Sequence, residues 1–304
     1  MQIYINLFYE SELILFDKQP KRWIMKNTIL KFSLTALAAL TLAACGSSGS
    51  GDAGSSSQAP TKDKQAAQAT QATKNQNNVS GSVSPSSNNK TGGVIVIDSD
   101  NKGNVTTKTV ALTSANLYKI NVDGKDIPIG FGPGISARDW TVASAQTING
   151  MKLNGKLEVC CGSYSNVRFG AIESQDPSQD DILFYNGYPT TSMPSSGVAS
   201  YVGDSIITAD TDKLPDEDYV KGSSSFTADF GNKKLTGTIS AANVDVVKID
   251  ANISGNGFSG TAKSELLNSQ GTAEGKFYGE NAKELSGLAK ANDNSWGAAF
   301  AAKK

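Results

Sequence analysis

The chain has 304 residues, with 28 Lys and Arg against 29 Asp and Glu, a net charge of −1, three cysteines and no histidine. Near neutrality gives no electrostatic footprint for nucleic acid. Without imidazole there is no Ser-His or Cys-His nucleophile pair, no His-based zinc site and no imidazole ligand for haem iron.

In chain order, the first signal is an apolar run from Ile29 to Leu42, set behind Lys26 and Lys31 and closed by Leu42-Ala43-Ala44-Cys45-Gly46-Ser47. A basic start, a short apolar stretch and a small-residue cleavage site make a secretory signal. A cysteine just past the cut is the lipid acceptor of a bacterial lipoprotein. The run falls short of the about 20 residues a spanning helix needs, so Cys45 is expected to anchor the chain rather than thread it. Glu10, Glu12 and Asp17 sit oddly before such a signal, and Met25 is the expected start. Residues 1–44 hold five Lys/Arg and three Asp/Glu, which leaves 23 basic and 26 acidic side chains after cleavage.

From Gly46 to about Thr91 the chain is almost entirely Gly, Ser, Ala, Gln, Asn, Thr and Lys, with no aromatic residue. This composition buries too little apolar surface to offset ordering entropy of roughly 1–2 kcal/mol per residue, so 45–91 is expected to be a lipidated flexible tether.

Beyond Thr91, short runs rich in Val, Ile, Thr, Tyr and Phe alternate with Gly, Asn, Asp and Ser clusters, and no helical period is sustained. The expected class is all-β. In 92–196 the expected strands are irregular: Val94–Ile97, Val105–Leu112, Leu117–Val122, Ala143–Ile148, Leu153–Cys160, Asn166–Ile172 and Ile182–Tyr185. In 197–304 they are regular: Ala199–Ala209, Ser223–Phe230, Lys234–Ser240, Val246–Ser254, Gly257–Ala262, Thr272–Tyr278, Glu284–Ala289 and Trp296–Ala301. Eight strands with hairpin-length links, such as Gly231-Asn232-Lys233 and Gly255-Asn256, are expected to close into an antiparallel barrel.

With Cys45 lipidated, Cys160 and Cys161 have only each other within the chain. Three readings stand: a disulfide that stiffens one turn, two buried thiols, or a metal or redox pair, for which two sulfurs without histidine are a poor donor set. Haem ligation is left to Tyr164, Tyr188 or Met193, although tyrosines at strand positions are usually packing residues. No cofactor and no metal are expected. The carboxylates Asp204, Asp210, Asp212, Asp216, Glu217 and Asp218 lack EF-hand spacing and read as solvating a long hairpin.

Three loops carry candidate anchors for a protein ligand. Phe131 and Ile135 lie in a Gly/Pro-rich segment and either pack beneath it or project from it. Tyr188 and Met193 lie in Asn186–Pro194 and are expected to be exposed. Leu214 and Tyr219 lie among the charges of the Asp210–Tyr219 hairpin.

Tyr201-Val202-Gly203-Asp204-Ser205, Phe226–Ile239, Phe258-Ser259-Gly260, Glu274–Gly279, Ala282–Gly287 and Trp296–Phe300 resemble, in order, the β-barrel domain of the transferrin-binding protein B type. The preceding Cys160–Gly170 and Phe184–Thr190 resemble the handle of the haemoglobin-haptoglobin utilisation (HpuA) and hemophilin branch. The resemblance implies an eight-stranded barrel preceded by a β-rich handle, and binding rather than catalysis. It implies an outer-membrane surface lipoprotein that takes host haemoglobin or haemoglobin-haptoglobin and passes it to a TonB-dependent haem transporter. Two other classes stay open: a binder of transferrin or a complement regulator, and a structural periplasmic lipoprotein.

Overall fold

The computed structural model describes residues 89–304 except 101–102, 133–137 and 177. The signal region, Cys45, nearly all of the 45–91 segment and Ile135 therefore lie outside the described residues.

The first layer is a six-stranded antiparallel sheet. Its strands are β1 (Gly92–Ser99), β2 (Val105–Leu112), β5 (Thr141–Ser144), β8 (Gly155–Cys160), β9 (Val167–Ser174) and β10 (Asp181–Gly187), in the order β2-β1-β10-β9-β8-β5. The central strands are apolar on both faces because both faces are covered. Val94, Val96, Ile182 and Phe184 point to an outer core, whereas Ile95, Ile97, Leu183 and Tyr185 point the other way, into a second core.

Two small hairpins cover the outer face: β3 (Lys119–Val122) with β4 (Lys125–Pro128), and β6 (Thr147–Ile148) with β7 (Met151–Lys152). Their turns are Asp123-Gly124 and Asn149-Gly150, all four with positive φ, the geometry a two-residue hairpin requires. β4 and β7 are absent from the expected strands. The expected strand Ala143–Ile148 is two pieces, because Ala145 takes φ 40° and turns the chain.

The second layer is a closed barrel of β11 (Val198–Ala209), β12 (Val220–Asp229), β13 (Lys234–Ala241), β14 (Val244–Ser254), β15 (Gly257–Ser264), β16 (Ser269–Tyr278), β17 (Glu284–Ala291) and β18 (Trp296–Lys303). β18 closes on β11 with Val202 opposite Lys303 and Ala209 opposite Trp296. All eight expected strands are present, each within a few residues of its expected bounds.

The interior is filled by Tyr201, Phe226, Phe230, Phe258, Phe277, Trp296 and Phe300. Phe226 stacks on Phe300 at 4.9 Å. Glycine makes room for these rings: a Cβ at Gly237 would fall inside the ring of Phe226, and one at Gly275 inside that of Phe258. Outward positions such as Ser200, Thr227, Thr261 and Lys263 are polar and exposed. This is the reverse of the apolar outer band of a membrane-spanning barrel. No helix among the described residues is long and apolar enough to cross a membrane.

The sheet packs against the outside of β11 and β16–β18. Leu183, Tyr185, Phe169 and Ala171 meet Ile206, Tyr278, Leu288, Ala299 and Ala301 in one buried cluster. The alanines of β18 let the sheet approach closely, and seven of its eight residues are buried because barrel core lies on one side and the seam on the other.

Candidate functional site

The barrel has two ends. One gathers the link between β10 and β11, the turns after β12 and β14, and the loop between β16 and β17; this is the link end. The other gathers the β11–β12, β13–β14, β15–β16 and β17–β18 connections; this is the hairpin end.

The β11–β12 hairpin folds over the barrel mouth. Leu214 is buried in the barrel core beside the partly buried Leu266 and Leu267, and Lys213 Nζ donates to the Leu266 carbonyl. Tyr219 is buried in the seam, its hydroxyl 3.4 Å from Asp181 Oδ2. Leu214 and Tyr219 are thus not exposed anchors. They fasten the hairpin inward so that Asp212, Asp216, Glu217 and Asp218 face solvent.

Beside this hairpin the seam carries a charged relay. Glu158 is buried, with Lys156 Nζ and Lys221 Nζ each 2.5 Å from its carboxylate oxygens. The two ammonium groups outweigh burial and hold the Glu158 carboxyl below its ordinary range. Lys221 also lies over the Trp140 ring at 5.6 Å, and Trp140 sets its edge against Phe169 at 5.3 Å. Glu173, with Asp218 and Glu158 nearby and no partner strong enough to offset desolvation, is pushed up. Burial raises Asp181 to about 6, against the N–H donated by Ser174. Val142 on edge strand β5 is 51% exposed. Its exposure follows from the edge position, which sequence alternation alone does not reveal. Together Val142, half-buried Trp140, Lys221 and the acidic hairpin form a mixed surface with an apolar centre and a charged rim, the anatomy of a protein-binding patch.

The remaining candidate anchors are elsewhere. Phe131 is half-buried against the outer core of the sheet. Met193 packs on the barrel core, and so is only partly exposed. Tyr188, at the link end, is 48% exposed. Its backbone is fixed: Tyr188 N–H donates to Asn166 O at 2.8 Å, and the next residue, Pro189, bridges to Tyr278. Two exposed residues of β11 at the same end, Val198 (65%) and Val202 (66%), had no place among the expected anchors.

The Cys160 and Cys161 sulfurs are joined in the structure, with Asp204 beside them. A joined pair presents no thiolate. The neighbouring carboxylate is engaged by Tyr164, which is buried and packs with its hydroxyl 2.8 Å from Asp204 Oδ2 and 3.1 Å from the Ala301 carbonyl. Burial first, then Asp204, pushes the Tyr164 phenol well above its ordinary range, so it holds its proton. Glu284 accepts the N–H groups of Ser165 and Asn166 at 2.8 and 2.9 Å, pinning the same turn to β17. This constellation clamps the sheet to the barrel.

Residues 193–304 match the family model of the C-lobe and N-lobe beta barrels of Tf-binding protein B. An uncharacterized protein of Haemophilus influenzae (strain Rd) is 48% identical over 223 residues, covering 71% of this chain and 76% of that protein. The transferrin-binding protein B of H. influenzae strain 86-028NP is 40% identical over 98 residues, but these are 27% of this chain and only 16% of that protein. A crystal structure of a mutant transferrin-binding protein B from Haemophilus parasuis Hp5 superimposes with a TM-score of 0.51 at 25% identity, covering 70% of this chain and 45% of that one. A closed eight-stranded barrel, matched along its length by that family model, makes residues 193–304 a member of the family of transferrin-binding protein B beta barrels.

Proposed function

We propose that this chain is a lipid-anchored surface protein that captures a host iron-carrying protein, haemoglobin or haemoglobin-haptoglobin, and hands it to an outer-membrane haem transporter. The observation that carries the reading is the barrel with a sheet clamped to its wall, in a family whose named relatives bind transferrin. Capture needs no chemistry on the ligand. It needs a rigid surface with a few apolar anchors, and Trp140 and Val142 beside the acidic hairpin supply one. Tethering then raises the ligand's effective concentration at the transporter. Haemoglobin is favoured by the handle-like segments Cys160–Gly170 and Phe184–Thr190. Transferrin is the second reading, favoured by the 40% identity of the barrel segment to a transferrin-binding protein.

The test is a pull-down from serum and haemolysate with the immobilised chain from Gly46 to Lys304, read by mass spectrometry. Globin chains enriched over blank resin, and lost in a Val142→Asp variant, are expected. Transferrin or a complement regulator without globin would replace the haemoglobin reading. Recovery of no host protein would sink capture altogether.

A further inference from the structure

Charge is distributed unevenly between the two ends of the barrel. At the link end, Lys233 and Lys234 follow β12, Lys283 precedes β17, and Lys303 and Lys304 finish β18; all five are exposed. Their acidic neighbours are fewer. Glu280 and Asp250 are exposed, with Asp250 4.0 Å from Lys234 Nζ, while Asp229 is half-buried and accepts from the Asn232 backbone and side chain, and Glu284 is buried under the Ser165 and Asn166 N–H groups. At the hairpin end, Asp98, Asp100, Asp180, Asp212, Glu217, Asp218, Glu265 and Asp293 are all exposed, against the exposed lysines Lys213, Lys221, Lys248 and Lys263, the last two 3.9 and 3.7 Å from Glu265.

Two further observations fall at the lysine-bearing end. The chain enters the structure there: Thr91 N–H donates to Leu112 O, and the hydroxyl of Tyr278, the last residue of β16, donates to Thr91 O. The exposed apolar residues Tyr188, Val198 and Val202 are there as well. Lys304 Nζ lies over the rings of Tyr201 and Phe230 and donates to the Asn281 carbonyl, and Lys303 Nζ lies over the Tyr164 ring and donates to the Ser163 carbonyl, so these two ammonium groups are held in place at this end.

We propose that this lysine-bearing end is a docking surface for the anionic, phosphate-bearing headgroups of a lipid bilayer, with Tyr188 and Val198 meeting the interface. Basic side chains are drawn to an anionic surface within a Debye length, and an aromatic or apolar residue among them adds burial at the headgroup boundary. The segment leading to Cys45 leaves from the same end, so anchor and docking surface agree. The acidic end is repelled by the same surface and is held outward with the Trp140–Val142 patch. The inference rests on the reading of Cys45 as the lipid anchor, and its test is built not to depend on it.

The experiment uses the chain from Gly46 to Lys304, which carries neither the apolar run at Ile29–Leu42 nor a lipid, and co-sedimentation with phosphatidylcholine vesicles with and without phosphatidylglycerol. Binding to the anionic vesicles alone is expected, lost when salt is raised to about 1 M, where the Debye length is about 3 Å. Lys233→Gln/Lys234→Gln/Lys283→Gln should weaken it at least about tenfold, while the matching Arg variant retains binding and Lys213→Gln changes nothing. On vesicles, acetylation of Lys233, Lys234 and Lys283 should fall while Lys213 and Lys263 stay reactive. Equal binding to neutral vesicles, or an unaffected triple variant, would overturn the proposal. So would inorganic phosphate competing beyond its ionic strength, which marks a discrete phosphate site, or Tyr188→Ala abolishing host-protein capture with vesicle binding intact, which marks a protein interface. Absence of acyl mass on the wild-type chain extracted from membranes would sink the anchor reading and leave the vesicle result standing.

Discussion

Asp181 and Tyr164 show how single side chains couple the sheet to the barrel. Asp181 sits where β10 meets the hairpin, with Tyr219, Glu173 and Asp218 nearby, and burial lifts its carboxyl to about 6. Its folded value lies above the ordinary carboxylate value of 3.8. The folded state therefore binds this proton more tightly, and the stability it contributes is full below the unfolded value and lost as pH rises through about 6. Asp181→Asn keeps an acceptor for the Ser174 N–H and removes the titration. The variant should match the parent near the lower bound and exceed it by on the order of 2 kcal/mol above neutral pH. Urea midpoints across that range decide it, and a difference independent of pH would refute the assignment. Tyr164 is a different case, because its proton stays and its hydroxyl is spent on Asp204 and Ala301. Tyr164→Phe should lower stability by about 1–2 kcal/mol with the fold unchanged by circular dichroism. As a haem ligand it is disqualified by being fully enclosed in the clamp.

At the scale of elements, the β11–β12 hairpin separates what charge and burial each do. Leu214 closes the barrel mouth, so Leu214→Ala should cost about 2–3 kcal/mol, whereas Asp212→Asn and Glu217→Gln on the solvent side should stay within about 0.5 kcal/mol. Chemical denaturation measures both, and a neutral Leu214→Ala would show that the hairpin is not a lid. The same hairpin marks the limit of sequence reading. The eight barrel strands are legible because inside and outside alternate along each one and Gly/Asn turns separate them. Leu214 and Tyr219 are not legible, since an isolated apolar residue between carboxylates carries no period and its burial depends on strands distant in sequence. β4 and β7 failed for a related reason: they are four and two residues long, and only the Asp123-Gly124 and Asn149-Gly150 turns announce them. Val142 and Trp140 are not legible either, because their exposure depends on β5 lying at the edge of the sheet and on Lys221, distant in sequence, lying over the indole.

For the whole molecule the question is whether sheet and barrel are two bodies or one. The buried seam between them runs from Ile97 and Phe169 to Leu288 and Ala301, and it is reinforced by Tyr164, Glu284 and the Glu158–Lys221 pair. Neither the sheet's inner face nor the outer face of β18 could be exposed without uncovering apolar surface, which at about 25 cal/mol per Å2 makes separate folding unfavourable. One cooperative transition is expected. A chain from Gly46 to Lys304 carries its own probes, because it holds only Trp140, at the seam, and Trp296, inside the barrel. Urea unfolding of the single-tryptophan variants Trp296→Phe and Trp140→Phe, each normalised to its own stability by circular dichroism, should give fluorescence and ellipticity curves that coincide. If the Trp140 signal changes first while barrel ellipticity persists, the sheet is a separable unit. The rigid presentation of Val142 and Trp140 on which the proposed capture depends would then have to come from the ligand rather than from the fold.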